Sequence, residues 1–322
     1  MSTLALDGSV SPYLPTREIL DAIERSTMPE RPPVDLARML RARLAMLHGV
    51  SVDRIALFPH DDARFARIVQ LRANRPVAIY PPGPDWSLDV PERSQLVTVE
   101  RNDRFRIDGV QIQQTPYGAT AIVQTPNDPT GTAIGITTAA QLARRAGLLV
   151  LDERSAEMQR RSMIPLVEEF DSIVLLRSFS DWAGLSLEAP GYAIATRRTA
   201  TAIDRAAELS AAGLVAAMAA VGNASKLDAV AQRVRLERLR LYRMLRKLNF
   251  LEPLPSDGGY VLATVTRGER DQIGDALARR DIRVYLPTQA RLQDSIRFSA
   301  ISPAATARLK EALIDICRTE LD

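Results

Sequence analysis

The chain has 322 residues, 46% of them hydrophobic and 25% charged, and its 42 basic and 39 acidic side chains leave a formal charge of only +3. That is the balance of a globular chain with a sizeable core, with no bulk charge to recruit a polyanion. The single cysteine, Cys317, excludes an intrachain disulfide framework and fits a reducing, cytoplasmic setting.

The N-terminal residues 1–30 form an arm rich in proline (Pro12, Pro15, Pro29, then Pro32 and Pro33), with one helix over Thr16–Arg25. No basic start with an apolar run follows Met1, so no secretory signal is expected. His48 precedes Gly49 and ends a helix. From Ile55 onward strands alternate with helices, the pattern of an α/β fold. The strands are expected at Ile55–Phe58, Val77–Tyr80, Ala121–Gln124, Leu148–Asp152, Ser172–Leu176 and Gly191–Ala195. Helical periodicity covers Asp62–Leu71 and Thr137–Ala146, the second capped by Thr137 and stopped by Gly147.

Ala211–Gly222 is the longest apolar stretch. It is too short to cross a bilayer and reads as a buried helix. Residues Lys226–Lys247 carry Leu227, Val230, Val234, Leu241, Leu245 and Leu248 at helical spacing, interrupted once by Glu237. Their arginines therefore belong to a solvated face rather than a nucleic-acid surface. Strands at Gly258–Val265 and Ser295–Ser299, with helices at Glu269–Arg279 and Pro303–Arg318, make a smaller α+β unit. Cys317 falls in line with Leu309, Leu313 and Ile316, as a buried small apolar group would.

Several strand ends carry motifs. Pro126-Asn127-Asp128-Pro129-Thr130-Gly131 follows one strand, and Leu151-Asp152-Glu153 closes the next. Arg177-Ser178-Phe179-Ser180-Asp181-Trp182-Ala183-Gly184-Leu185 leaves the third, with Gly191-Tyr192 beyond it. Ser11-Pro12-Tyr13-Leu14-Pro15, Pro84-Asp85-Trp86 and Ile296-Arg297-Phe298-Ser299 extend the series. In order and spacing this resembles the class I/II, fold-type I aminotransferases that use pyridoxal 5'-phosphate (PLP), especially the histidinol-phosphate branch. The resemblance implies an α/β fold with a large, mixed, mostly parallel seven-stranded sheet domain over 31–225. A small α+β domain would comprise the arm 1–30 and residues 226–322, a long connecting helix included. It also implies a homodimer with the site at the subunit interface.

PLP chemistry needs a lysine for the Schiff base, a carboxylate facing the pyridine nitrogen, and donors for the phosphate. By resemblance, Asp152 is the ring-facing carboxylate, Trp86 the stacking aromatic, and Ser178 and Ser180 the phosphate hydroxyls. Arg297 is the carboxylate anchor and Asn127 the first asparagine of the loop. Other positions depart from the family. Asp181 stands where the lysine belongs, and Ala189 where the phosphate arginine belongs. Asp128 replaces the second asparagine, and Ser155 a tyrosine. Phe58 and His60 replace two glycines of the phosphate turn, and a tyrosine lent by the partner subunit falls at Arg31. The chain's three lysines, Lys226, Lys247 and Lys310, lie on helices away from strand ends. Tight PLP binding is therefore not expected, and the cofactor enters by family resemblance alone.

Each candidate has a plainer alternative. Asp152 can cap a turn, Trp86 can be core, Arg297 can pair with Asp294 or another carboxylate, and His60 can be a loop residue. Asp128, Asp152 and Asp181 can converge on a cation unless Arg154 or Arg177 neutralises them. Three functional classes follow. One is a pseudoenzyme that retains a pocket for a small amino-acid-like or heteroaromatic ligand, for binding or PLP-independent chemistry. Another is a non-catalytic structural or regulatory partner of an active homologue, and the third is an aminotransferase with unorthodox cofactor handling. Neither nucleic acid nor membrane is an expected partner.

Overall fold

The computed structural model describes residues 3–8, 11, 13–25, 33–59, 68, 71–72, 74–84, 90, 94–158, 162–185 and 189–321. Trp86, His60, Arg31 and nearly all of the helix expected over Asp62–Leu71 lie outside them. Ile68 of that segment is helical and buried.

Twelve strands are present among the described residues: β1 (Leu4–Leu6), β2 (Ile55–Phe58), β3 (Val77–Ile79), β4 (Leu96–Thr98), β5 (Thr120–Gln124), β6 (Leu148–Asp152), β7 (Ile173–Ser178), β8 (Gly191–Ile194), β9 (Leu251–Pro253), β10 (Tyr260–Val265), β11 (Ile282–Val284) and β12 (Ser295–Ser299). Seven of them form one sheet in the order β2-β8-β7-β6-β5-β3-β4. All neighbours are parallel except β8, which is antiparallel to both β2 and β7. The sheet is thus large, mixed and mostly parallel.

The central strands read as unbroken apolar runs because both of their faces are covered. Leu149, Leu151 and Leu175 belong to a core shared with the helices Pro33–His48 and Ala211–Gly222. Val150, Val174 and Leu176 point the other way, toward Ile68, Ala200 and Ile203. Ala211–Gly222 buries Leu214, Ala217 and Ala220 within the chain. Among the described residues, no single helix is long and apolar enough to cross a membrane.

A second, antiparallel sheet has the order β9-β10-β12, and β1 pairs in parallel with β11. A bridge between Tyr285 and Arg297 connects the end of β11 to β12. Leu6, Leu245, Phe250, Phe298, Ile273 and Leu313 close a separate core around these strands. The chain's first described strand is therefore packed among its last elements.

Several local expectations are corrected. The helix after β5 runs Ile136–Arg145, with Gly135 at its cap and no side-chain cap bond, so Thr137 lies inside it. Cys317 is half-buried rather than buried, and Arg267 Nη2 points at its sulfur from 3.1 Å. The basic helix, Ala224–Leu245, is not wholly solvated on its arginine face. Arg235 donates to the Glu157 carbonyl (2.6 Å) and Arg238 to that of Gly258 (3.0 Å). Glu237, the break in the apolar stripe, is buried and accepts from Thr306 Oγ1 at 2.6 Å and Arg240 at 3.0 Å.

Candidate functional site

Adjacent parallel strands in register bring their C-terminal ends to one edge of the sheet, where the following loops can converge. Here Gln124 pairs in register with Asp152, and Asp152 with Leu176. The loop after β5 then turns sharply. Asn127 is buried and its Nδ2 donates to the Pro82 carbonyl (2.9 Å) and Thr130 Oγ1 (2.7 Å). Gly131 N–H returns to the Asn127 carbonyl at 2.6 Å, and Tyr260 Oη donates to the same carbonyl at 3.0 Å. Asn127 thus builds the loop. Its neighbour Asp128 projects from it, held by its own N–H donating to Gln124 Oε1 at 2.7 Å.

Arg297 reaches the same place from β12. Its Nη1 lies 2.6 and 2.8 Å from the two Asp128 oxygens, and Nη2 donates to the Asp7 carbonyl at 2.6 Å. The guanidinium carbon sits 4.3 Å from the Tyr285 ring centre and 4.8 Å from that of Tyr260. Two aromatic faces and one carboxylate compensate its burial. Of the carboxylates open to Arg297 from sequence, Asp294 or another, the partner is Asp128.

Asp152, fully buried at the end of β6, is already saturated. Arg154 Nε lies 2.8 and 3.0 Å from its two oxygens, Arg154 Nη2 lies 2.7 Å from Oδ2, and Gln124 Nε2 adds a contact at 3.3 Å. Ser178 caps the helix Phe179–Ala183, its Oγ accepting from Ser180 N–H at 3.1 Å. The two serine hydroxyls are 2.8 Å apart. Asp181 is the third residue of that helix; its side chain lies outside the description. Ala189 is buried. Phe58, at the end of β2, packs its ring against Gly191 where a Cβ would otherwise sit.

A cavity of about 420 Å³ opens over these strand ends, lined by Gln124, Asp128, Arg154, Tyr285, Gln289 and Arg297 with Asp7, Gly8, Pro84 and Pro129. The candidates Asp128 and Arg297 therefore meet at one cavity, with Asp152 behind Arg154. Asn127, Ser178 and Ser180 are not among its walls. Among the described residues no group of three or more His, Cys, Asp or Glu is placed to hold a metal ion; Arg154 pairs with Asp152 and Arg297 with Asp128. Tyr285, Gln289 and Asp7 were not marked by any motif. Gln124 was discoverable, because strand pairing sets it beside Asp152.

Beneath the site, Arg177 is buried between Glu153 (2.7 Å) and Glu157 (2.8 Å). One guanidinium cannot neutralise two buried carboxylates. Burial pushes Glu157 up to about 7 even though Arg177 opposes it. His48 is held down to about 3 by burial and then by Arg177. Its Nε2 sits 2.9 Å from Tyr192 Oη.

Residues 16–313 match the family described as aminotransferase class I and II. A histidinol-phosphate aminotransferase of Roseiflexus castenholzii is 30% identical over 342 residues, covering 98% of this chain and 89% of its own length. Histidinol-phosphate aminotransferase 2 of Archaeoglobus fulgidus is 27% identical over 321 residues, covering 97% and 92%. The crystal structure of histidinol-phosphate aminotransferase from Sinorhizobium meliloti, in complex with pyridoxal-5'-phosphate, superposes with a TM-score of 0.82 at 26% identity, covering 99% and 92%. L-threonine-O-3-phosphate decarboxylase from Porphyromonas gingivalis shares the fold at a TM-score of 0.80 and 16% identity, covering 98% and 100%. On the extent of these matches and the seven-stranded sheet that carries the motifs, the chain belongs to the class I and II aminotransferase family.

Proposed function

We propose that this chain is a non-transaminating member of that family, whose site has been rewired into a pocket for a small neutral or zwitterionic molecule. The observation that carries this reading is the Asp128–Arg297 ion pair. An arginine that takes a substrate carboxylate must present its paired terminal donors, and Arg297 commits Nη1 to Asp128 and Nη2 to the Asp7 carbonyl, leaving only the buried Nε unpaired.

The residues do not fit PLP. A carboxylate facing a pyridinium needs an open oxygen, and both oxygens of Asp152 accept from Arg154. Asp181 occupies the lysine position of the motif, and aspartate forms no imine. Lys226 pairs with Glu18, and Lys247 and Lys310 line a groove on the outer side of the helices Ala224–Leu245 and Pro303–Glu320. Ala189 offers the phosphate no charge, and Phe58 fills space where the family's turn approaches it.

Asp7 and Asp128 balance Arg154 and Arg297 around the cavity. A ligand with net charge therefore gains little there, whereas the amides of Gln124 and Gln289 and the ring of Tyr285 suit an amino-acid-like or heteroaromatic molecule. In this reading residues 31–225 form the large domain, residues 1–30 and 226–322 the small one, and the protein is a cytoplasmic homodimer. The deciding experiment is the absorption spectrum of the purified chain with and without added PLP, followed by borohydride and peptide mass analysis. Only the spectrum of free PLP and no stoichiometric lysine adduct is expected. A full adduct together with turnover of an amino donor overturns the proposal.

A further inference from the structure

The helices Ala224–Leu245 and Pro303–Glu320 bury one face in the core around β9, β10 and β12. Their outer faces leave a groove of about 790 Å³, within the range of small-molecule sites. Two contacts set the register of its walls: Thr306 to Glu237, 69 residues apart, and Cys317 to Asn249, 68 apart. The helices therefore run in the same direction, and Pro303 and Ala307 face the turns of Leu236 and Leu239. Lys310 faces the next turn, just before Arg243.

That register gives the groove a polarity. Its first part is apolar, with Leu236 60% and Leu239 41% exposed beside Pro303 and Ala307. Its second part carries Lys310, Arg243 and Lys247 over Met244 and Ile314. No carboxylate lines it. Arg240 is held by Glu237, but Arg243, Lys247 and Lys310 have no ion-pair partner among the described residues. Two of the chain's three lysines, Lys247 in the turn after one helix and Lys310 on the other, thus converge on one end of an apolar trough. From Leu236 to Lys247 the first helix and its C-terminal turn span about 17 Å at ~1.5 Å per residue.

We propose that this groove binds a soluble, single-tailed amphiphile ending in a carboxylate or phosphate, with its chain along Leu236 and Leu239 and its head among Arg243, Lys247 and Lys310. Charge complementarity selects the anion, and the separation of apolar and cationic stretches along the axis selects a tail joined to a head. An acidic partner helix would instead call for unpaired cations along the whole groove. The site is separate from the cavity at Asp128 and does not depend on that cavity's reading.

The test is calorimetric titration of the intact protein with dodecanoate and with dodecyl phosphate, both kept below micelle formation. Dodecyl maltoside serves as the neutral-head control and phosphatidylglycerol vesicles as the membrane control. Saturable binding at one site per chain is expected for both anions, weaker by at least about tenfold for the maltoside. A similar loss is expected in Lys247→Glu/Lys310→Glu, from two lost charge-assisted contacts. Circular dichroism verifies the fold, and Lys247→Gln/Lys310→Gln replaces the reversal variant if that fails to fold. Any of four results overturns the proposal: no saturable binding, equal binding of the maltoside, undiminished binding in the folded double variant, or binding to vesicles alone. A doubled solution mass that the lysine variants abolish also overturns it, by assigning the groove to a second copy of the chain.

Discussion

Arg297 on β12 and Asp128 in the loop after β5 are 169 residues apart in sequence and joined by contacts of 2.6 and 2.8 Å. The pair is asymmetric: the arginine side chain is 5% exposed and the aspartate side chain 35%. Losing the aspartate strands a buried cation, whereas losing the arginine leaves a carboxylate that water can reach. Asp128→Asn is therefore expected to destabilise by about 3 kcal/mol, the usual cost of breaking a buried pair on one side. In Arg297→Met the volume is kept and the stranded charge rehydrates. Urea unfolding of both single variants and the double variant measures the coupling, which is expected to be at least about 1 kcal/mol. Additive effects would show that the pair contributes nothing to joining the two sheets.

Asp181→Lys alone is expected to leave transamination unmeasurable. A restored amine would still face Asp152 occupied by Arg154, Arg297 occupied by Asp128, and Ala189 in place of a phosphate cation. Each missing charge-assisted hydrogen bond costs about 1.5–3 kcal/mol, so two or three weaken PLP binding by some orders of magnitude. The check is an assay of this variant against a panel of amino donors in excess PLP. Robust turnover would show that the lysine is the only lesion.

Glu157 makes a pH-dependent contribution with a definite sign. Its folded pKa, about 7, lies above the ordinary 4.5. Its contribution is therefore whole below about 4.5 and is lost as pH rises through about 7. His48, lowered from 6.5 to about 3, acts in the opposite sense. Its contribution is whole above about 6.5 and is lost as pH falls toward 3. Between about 4.5 and 6.5 the two slopes oppose each other, so the wild-type profile hides both. Glu157→Gln separates them: relative to wild type it is expected to gain stability from pH 5 to pH 8, by roughly 2–3 kcal/mol. Urea midpoints at the two pH values test this, and a pH-independent difference would refute it.

Gly131 lies at φ +72° with its carbonyl accepting from Asp257 N–H at 2.7 Å. A Cβ there would collide with Ser256 Oγ and lie 2.7 Å from Ser256 Cβ. Gly131→Ala combines left-handed strain with a displaced loop, and a loss of about 1–3 kcal/mol is expected in chemical denaturation. An unchanged midpoint would mean that the loop carrying Ser256 yields freely.

The legible parts of the fold are those with periodic signals. Runs such as Leu148–Asp152 and the helix Ala211–Gly222 were placed with the observed bounds, because burial on both faces removes polar residues over a whole element. β1, β4, β9 and β11 were not anticipated. Each has three residues, too few for any period, and they exist because neighbouring strands offer them hydrogen bonds. Glu237 shows the same limit in a helix. From sequence it interrupts an apolar stripe, and only the facing Thr306 accounts for its burial.

By itself the sequence determined the family, the longer strands and helices along the chain, and the aspartate at position 181. These are local or serial properties, since a motif at a strand end is written in consecutive residues. Only the tertiary structure decided which charges meet: Arg154 with Asp152, Arg297 with Asp128, and Arg177 with Glu153 and, incompletely compensated, Glu157. An ion pair forms where folding removes water from at least one charge and brings an opposite charge within reach. That reach is set by strand register and by the approach of the two sheets, and no spacing along the chain records it.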